Sequence, residues 1–278
     1  MLLKRVLIAT AIAAIAPVVL VGPVQADAAP ARVPAMRSVT PVKADTPPAP
    51  VKATPAQRAE AERMPLLARA AFWAREADID QSDAEARIKL ARVLRELGRY
   101  DEAAASADQL LVMEPNNLDA LLESARAKIA ANHGFYAIDP AQRAAAIAPR
   151  DWRPVSLLAV AFEQTERESD ALAAHQKALS LAPNNPATLT NLGMYYATHG
   201  APAQAEPLLR KAVAAPGAGA QERQNLALVL GMQSKFAEAE QLERQDLPPE
   251  VVTNNLAYLH AITNSTPDRT WNGLKSDQ

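Results

Sequence analysis

Four histidines, His133, His175, His199 and His260, are the side chains here best suited to move a proton near neutrality or to hold a metal through imidazole. None has a second histidine or a carboxylate four residues on, the spacing that would place two ligands on one helical face, and His-Glu-x-x-His is absent. They are expected to be structural or solvent-facing. Nucleophilic chemistry fares no better: Gly-x-Ser-x-Gly is missing, and no Gly-rich loop precedes a Lys-Ser or Lys-Thr pair to cradle phosphate. The absence of cysteine removes disulfides, thiolate-bound zinc, iron–sulfur clusters and thiol nucleophiles, and also a lipidated N-terminal cysteine. The glutamates at 166, 168, 238, 240 and 243 read as solvated outer faces of helices. The sequence predicts no enzyme, no metal and no cofactor.

What remains is the chemistry of recognition. Asn191, Gln224 and Asn225, interspersed with Met194, Thr198 and Leu228, form a neutral, amide-rich set. Each amide both donates and accepts, so such a set can hold the backbone of an extended segment whatever its side chains. The other reading is that the asparagines bridge neighbouring structural units. Arg92, Arg95 and Arg126 form a cationic set, with Lys89 and Arg153 nearby and Glu85 and Glu123 mixed in, suited to steering an acidic partner. Both sets acquire meaning only if one face of an array presents them.

The array is written in the prolines. Pro115, Pro149 and Pro183 stand 34 residues apart, each closing a similar phrase: Met113-Glu114-Pro115-Asn116-Asn117, Ile147-Ala148-Pro149-Arg150-Asp151, Leu181-Ala182-Pro183-Asn184-Asn185. On that grid Ala91, Ala125, Ala159, Gly193 and Ala227 share one column, and Ala103, Ala137, Ala171, Ala205 and Ala239 another. Small side chains at fixed columns are what two antiparallel helices need in order to approach closely. Leu90 and Leu94, Leu158 and Phe162, Leu192 and Tyr196, and Leu226 and Leu230 add the i, i+4 apolar pairs of buried helical faces. Gly98 and Gly200 fall in the inter-helix turn, where a C-terminal cap wants a residue at ease with positive φ.

Composition agrees: hydrophobic residues make up 49% but aromatics only 4%, which favours close-packed helices over a sheet sandwich. A net charge of −2 over 278 residues gives no electrostatic footprint for nucleic acid. Two irregularities stand out. Asp139-Pro140 falls inside the second helix of one repeat, which predicts a short or kinked helix starting near Asp139 with Pro140 at its first position. Pro216-Gly217-Ala218-Gly219 predicts a lengthened turn. Asn255-Leu256-Ala257-Tyr258 echoes Asn225-Leu226-Ala227-Leu228 and predicts a terminal helix covering the last apolar face.

These features, Leu-x-x-x-Leu pairs, the small-residue columns and the 34-residue period, resemble the tetratricopeptide repeat (TPR) from about Ala84 to Leu247. The resemblance implies an all-α fold, a right-handed α-solenoid of about five stacked helix pairs with terminal capping helices. It also implies that the first helices line a concave groove, so that both recognition sets face one partner. The carboxylate clamp of some chaperone-binding repeats is not expected, because Ile88 and Arg92 occupy its Lys and Asn columns.

A narrower resemblance rests on Ala148-Pro149-Arg150-Asp151-Trp152-Arg153, Pro183-Asn184-Asn185-Pro186, Arg223-Gln224-Asn225-Leu226-Ala227-Leu228-Val229-Leu230-Gly231 and Asp246-Leu247-Pro248. These phrases are similar to the TadD-type proteins of Tad/Flp pilus assembly, which implies a periplasmic scaffold for protein partners of a pilus or secretion complex. Members of that group are often lipoproteins, whereas this chain has no cysteine to lipidate. Contact with the inner or outer membrane would therefore come through partners.

The N-terminus supports export. Lys4 and Arg5 precede an apolar run from Val6 to Val21 and then Val24-Gln25-Ala26, the order of a secretory signal. Cleavage after Ala26 is expected, an uncleaved anchor being the other reading. The expected organisation is 1–26 signal peptide, 27–55 Pro-rich linker, 56–82 N-terminal capping helix, 83–263 repeat domain with a C-terminal capping helix, and 264–278 disordered tail. An accessory role in envelope polysaccharide synthesis or export is the alternative to the pilus reading.

Overall fold

The computed structural model describes residues 51–264, so the signal, most of the linker and the tail expected at the two ends lie outside the described residues. Among the described residues every regular element is a helix. Helices α1 (Pro55–Ala61) and α2 (Leu66–Ile79) precede five pairs: α3 (Ala84–Glu96) with α4 (Tyr100–Met113), α5 (Leu118–Ala130) with α6 (Gly134–Ile147), α7 (Trp152–Gln164) with α8 (Glu168–Leu181), α9 (Pro186–Thr198) with α10 (Pro202–Ala214), and α11 (Ala220–Met232) with α12 (Phe236–Glu243). Helix α13 (Pro249–Asn264) closes the array.

The 34-residue grid is kept at every helix start of the five pairs. First helices begin at 84, 118, 152, 186 and 220, and second helices at 100, 134, 168, 202 and 236. Local chemistry sets the registers. Asp83, Asn117, Asp151 and Asn185 cap the first helices, each side chain accepting from a backbone N–H of the opening turn. Gly219 occupies the same column without a side chain, and Glu222 Oε2 instead accepts from its N–H at 2.7 Å.

The turn between paired helices repeats as well. Gly98, Asn132, Glu166, Gly200 and Ser234 all have positive φ. Beyond each, the next N–H reaches back to a carbonyl five residues earlier: Arg99 to Leu94, His133 to Lys128, Arg167 to Phe162, Ala201 to Tyr196 and Lys235 to Leu230. This is the Schellman closure. It needs glycine least at Asn132 and most at Glu166 and Ser234, where a side chain sits in a conformation that glycine tolerates better.

The alanine columns are fully buried: Ala91, Ala125, Ala159 and Ala227 in the first helices, and Ala103, Ala137, Ala171, Ala205 and Ala239 in the second. Gly193 departs from its column for a reason legible in the partner helix. A Cβ there would lie 2.9 Å from Leu209 Cγ. Leu209 is itself the bulky occupant of a column that holds Ala107 and Ala141 in earlier repeats, so the small and large exchanges complement each other.

Two expectations need correction. The opening cap is a pair of helices, not one, because Pro65 stands between them as the N-cap of α2. Helix α6 begins at Gly134, five residues before Asp139, and carries Pro140 within it. The ring forfeits one bond, to the carbonyl of Tyr136, at a cost of about 3 kcal/mol. Full burial of Ala137, Ala141 and Ala144 along the same helix outweighs that loss.

Candidate functional site

First helices of successive repeats approach one another backbone to backbone, α3 with α5, α5 with α7, α7 with α9 and α9 with α11, whereas among the described residues second helices meet only through side chains, as where Arg210 of α10 reaches Glu238 of α12 at 2.6 Å. The first helices therefore lie on the tighter, inner curve. All nine recognition residues sit on this layer.

In its N-terminal part the arginines converge on one carboxylate. Glu123 of α5 is 1% exposed. Its Oε1 accepts from Arg126 Nη1 at 2.6 Å and Arg92 Nε at 3.2 Å, and its Oε2 from Arg95 Nε at 3.3 Å. Asp119 lies 3.8 Å from Arg92, and Asp151 pairs with Arg153 at 2.6 Å. Burial works against the charge on Asp151, but its bonds to Arg153 hold its carboxyl below the usual range. The cationic strip expected from sequence is thus largely compensated: Arg92, Arg95, Arg126 and Arg153 face Asp119, Glu123 and Asp151. Long-range steering is weaker than the arginine count suggests, and local geometry matters more.

The neutral part divides. Asn191 Nδ2 donates to Ser156 Oγ at 2.9 Å across the repeat boundary, which is the bridging role. Met194 is buried in the core cluster with Ala205, Leu209 and Leu226, and so is withdrawn from the groove surface. The Thr198 hydroxyl returns to its own helix, donating to the carbonyls of Met194 and Tyr195. Asn225 is buried and accepts only a long bond, 3.4 Å, from Gln221. Gln224 and Leu228 remain half-buried on the layer. One repeat on from Ser156, in the same column, the Thr190 hydroxyl is buried without a partner among the described residues, so the Ser156–Asn191 bond has no counterpart at Thr190 and Asn225.

Several groups lie elsewhere than the sequence suggests. Glu243 is 5% exposed, not solvated, because its column is a core position shared with Ala107, Ala141 and Leu209. His175 fills the same column in α8 and bonds Glu163 Oε1 through Nε2 at 2.6 Å, a buried structural pair. On the outer layer Phe135 and Tyr136 are 72% and 66% exposed, with ring centroids 5.5 Å apart. The equivalent positions in other repeats, Asp101 and Glu102, Ser169 and Asp170, Ala203 and Gln204, and Ala237 and Glu238, are small or polar. That contrast along the grid could have flagged the pair. Among the described residues no group of three or more metal-ligating side chains occurs, and no helix is long and apolar enough to cross a membrane.

Residues 86–121 and 187–215 match family models described as tetratricopeptide repeat. Solved structures share the fold. A tetratricopeptide repeat protein from Parabacteroides merdae is 15% identical with a TM-score of 0.62, over 73% of this chain and 80% of that one. A thermophilic TPR protein from Thermus thermophilus is 21% identical with a TM-score of 0.57, over 64% and 98%. The APC/C hetero-tetramer Cut9–Hcn1 is 16% identical with a TM-score of 0.52, over 72% of this chain and 36% of that one. No curated protein matches the chain. Two stretches of the chain thus match tetratricopeptide repeat models, and its helical array has the fold of tetratricopeptide repeat solenoids.

Proposed function

We propose that this tetratricopeptide solenoid is a non-enzymatic scaffold of the periplasm that holds a protein partner of a Tad/Flp pilus or secretion assembly along its inner layer. The observation that carries the binding role is the continuity of that layer: five first helices in contact present a guanidinium cluster at one end and half-buried, uncharged Gln224 and Leu228 at the other. A surface of that length suits an extended or helical segment better than a small molecule. Export is supported by the basic, apolar and small-residue order of residues 1–26, and the pilus assignment by the TadD-like phrases around Trp152 and Asn225.

Photo-crosslinkers placed at Gln224 and Leu228 in cells, followed by mass spectrometry of the adducts, test the reading. A prepilin or secretin partner is expected. Adducts to a glycan synthase or export channel would move the scaffold to polysaccharide export, and adducts confined to cytosolic proteins would sink the periplasmic assignment. Intact mass of the recovered protein checks cleavage after Ala26.

A further inference from the structure

Glu123 is the only acidic residue in its column, whose other members are Lys89, Leu157, Asn191 and Asn225. A carboxylate held 1% exposed is costly unless it is bonded, and this one is bonded by three guanidinium groups from two helices. Glu123 and Asp119 together offset two of the three positive charges, which leaves one uncompensated. The side chains of Arg92, Arg95 and Arg126 remain 40%, 32% and 29% exposed. Arg95 spends only its Nε on Glu123, so both of its Nη groups are unpartnered among the described residues. Arg126 spends only Nη1 there.

We infer that Glu123, Arg92, Arg95 and Arg126 form a preorganised receptor for one acidic side chain of a bound peptide, with Glu123 as the positioning residue and the three arginines as the ligand-binding groups. The inference rests on the inner layer being the partner-binding face, and it names what the N-terminal part of that face selects. Glu123 supplies from below what a free arginine lacks, a fixed orientation. Guanidinium groups reward such fixing because they match a carboxylate as a planar fork, whereas lysine offers a mobile point charge. Holding the forks before the ligand arrives reduces the ordering cost of binding. Asp119, 3.8 Å from Arg92 and more than half exposed, competes for the same donors and tunes the site downward.

The alternative is a diffuse positive field in which geometry is irrelevant, and the two make opposite predictions for Glu123→Gln. That change raises the local charge by one, so a field would bind an anion more tightly; a receptor loses its anchor and binds less tightly. The probe is a fluorescent hexaglutamate peptide, with hexaglutamine as control, titrated against the full chain at low salt. Hexaglutamate is expected to bind at least tenfold better than hexaglutamine. Glu123→Gln should weaken it three- to tenfold, Asp119→Asn should tighten it, and the triple change Arg92→Lys, Arg95→Lys, Arg126→Lys, which keeps every charge, should weaken it about tenfold.

Circular dichroism and melting curves confirm folding, and if Glu123→Gln fails to fold the triple lysine variant decides alone. No preference for hexaglutamate, or undiminished binding in the triple lysine variant, overturns the receptor. Crosslinks at Gln224 and Leu228 report the partner reading separately, so either idea can fail while the other stands.

Discussion

The two ends of the solenoid share one backbone lattice and are held together by different forces. Toward the N-terminus buried ion pairs run among alanines, Trp73 and leucines such as Leu110, Leu121 and Leu122. Glu76, fully buried in α2, accepts from Arg58 Nη2 at 2.8 Å and from the backbone N–H of Ala53 at 3.0 Å, and Arg58 also reaches Asp83 at 2.5 Å and Glu85 at 2.8 Å. Beside them Trp73 is fully buried, with Arg58 and Lys89 5.7 and 5.8 Å from its ring. Toward the C-terminus the largest apolar cluster gathers Met194, Leu209, Leu226, Val229 and Leu230 around a few alanines. A repeat lattice evidently fixes where helices go and leaves open whether electrostatics or apolar volume holds them there. The inner face inherits the same contrast, guanidinium groups at one end and uncharged side chains at the other.

The largest effect should come from the apolar end. Leu209 is fully buried and its bulk is matched by the missing side chain at Gly193, so nothing nearby can fill the space if it is truncated. Leu209→Ala is expected to cost about 4 kcal/mol. Hydrogen exchange should show protection lost first across α9, α10 and α11 while α3 to α6 stay protected, as expected where stability is a nearest-neighbour sum. Uniform loss along the array would erase the distinction between the two ends.

At the opposite end Arg58→Ala leaves the Glu76 carboxylate buried with only a backbone partner. A loss of about 3 kcal/mol is expected, confined to α1, α2 and α3. Raising salt should reproduce little of this effect in the wild type, because the pair is buried, and none of the Leu209 effect. Denaturant melts of both variants at low and high salt make the comparison.

Much of this architecture was legible in the sequence, because a solenoid repeats its constraints. Each proline and alanine column samples one backbone geometry several times over, so the period placed the helices of the repeats, α6 excepted, where Asp139-Pro140 pointed to a later start. The grid says nothing about pairs. Arg92 and Glu123 are 31 residues apart and Asn191 and Ser156 are 35, so neither falls on the period, and each bond joins different columns of neighbouring repeats. Read singly, Arg92, Arg95 and Arg126 announced a cationic strip; read against Glu123 and Asp119 they are a compensated cluster. Glu243 misled for a related reason, since a glutamate near two others looks solvated until its column proves to be core. Pro140 shows the converse, a strong local signal overruled by the packing of Ala137, Ala141 and Ala144.

Mild acid should act on Glu243 and on the N-terminal carboxylates with opposite sign, whereas Glu206 and Asp246, held low by Lys235 and Arg223, follow the N-terminal pattern at lower pH. The bond from Lys52 holds Asp80 well below the ordinary carboxylate range, and Arg58 holds Asp83 below it. For groups lowered by folding the stabilisation is present above the ordinary value and is lost as pH falls through the lowered one. Glu243 is the reverse case. Burial raises it above the reference of 4.5, only partly offset by the bond from Asn255. The folded state then takes up its proton more readily than the unfolded one, and the stabilisation declines as pH rises through the raised value. Lowering pH from 7 toward 4.5 should tighten α12 and α13 while leaving α1 and α2 unchanged, and further acid should release α1 and α2. Hydrogen-exchange protection, corrected for intrinsic rates, reads both ends at once, and Glu243→Gln should abolish the C-terminal response alone.

The smallest effect probes what the two ends have in common. All five inter-helix turns place one residue at positive φ, but only Gly98 and Gly200 are glycines, and Glu166, at φ 59°, is exposed. A side chain in this region costs about 1–2 kcal/mol, while glycine costs about 0.5–1 kcal/mol in unfolded-state entropy. The difference favours glycine slightly, so Glu166→Gly should stabilise the chain by about 0.5 kcal/mol and Gly200→Ala should destabilise it by about 1 kcal/mol. Both are read as shifts of the denaturation midpoint without change of slope. Because the same Schellman bond closes every turn, Ser234→Gly in the apolar half should match Glu166→Gly in size. If the two differed by more than about 1 kcal/mol, the turns would be answering to the contacts of their own repeats, and the division between ionic and apolar ends would reach into the backbone lattice itself.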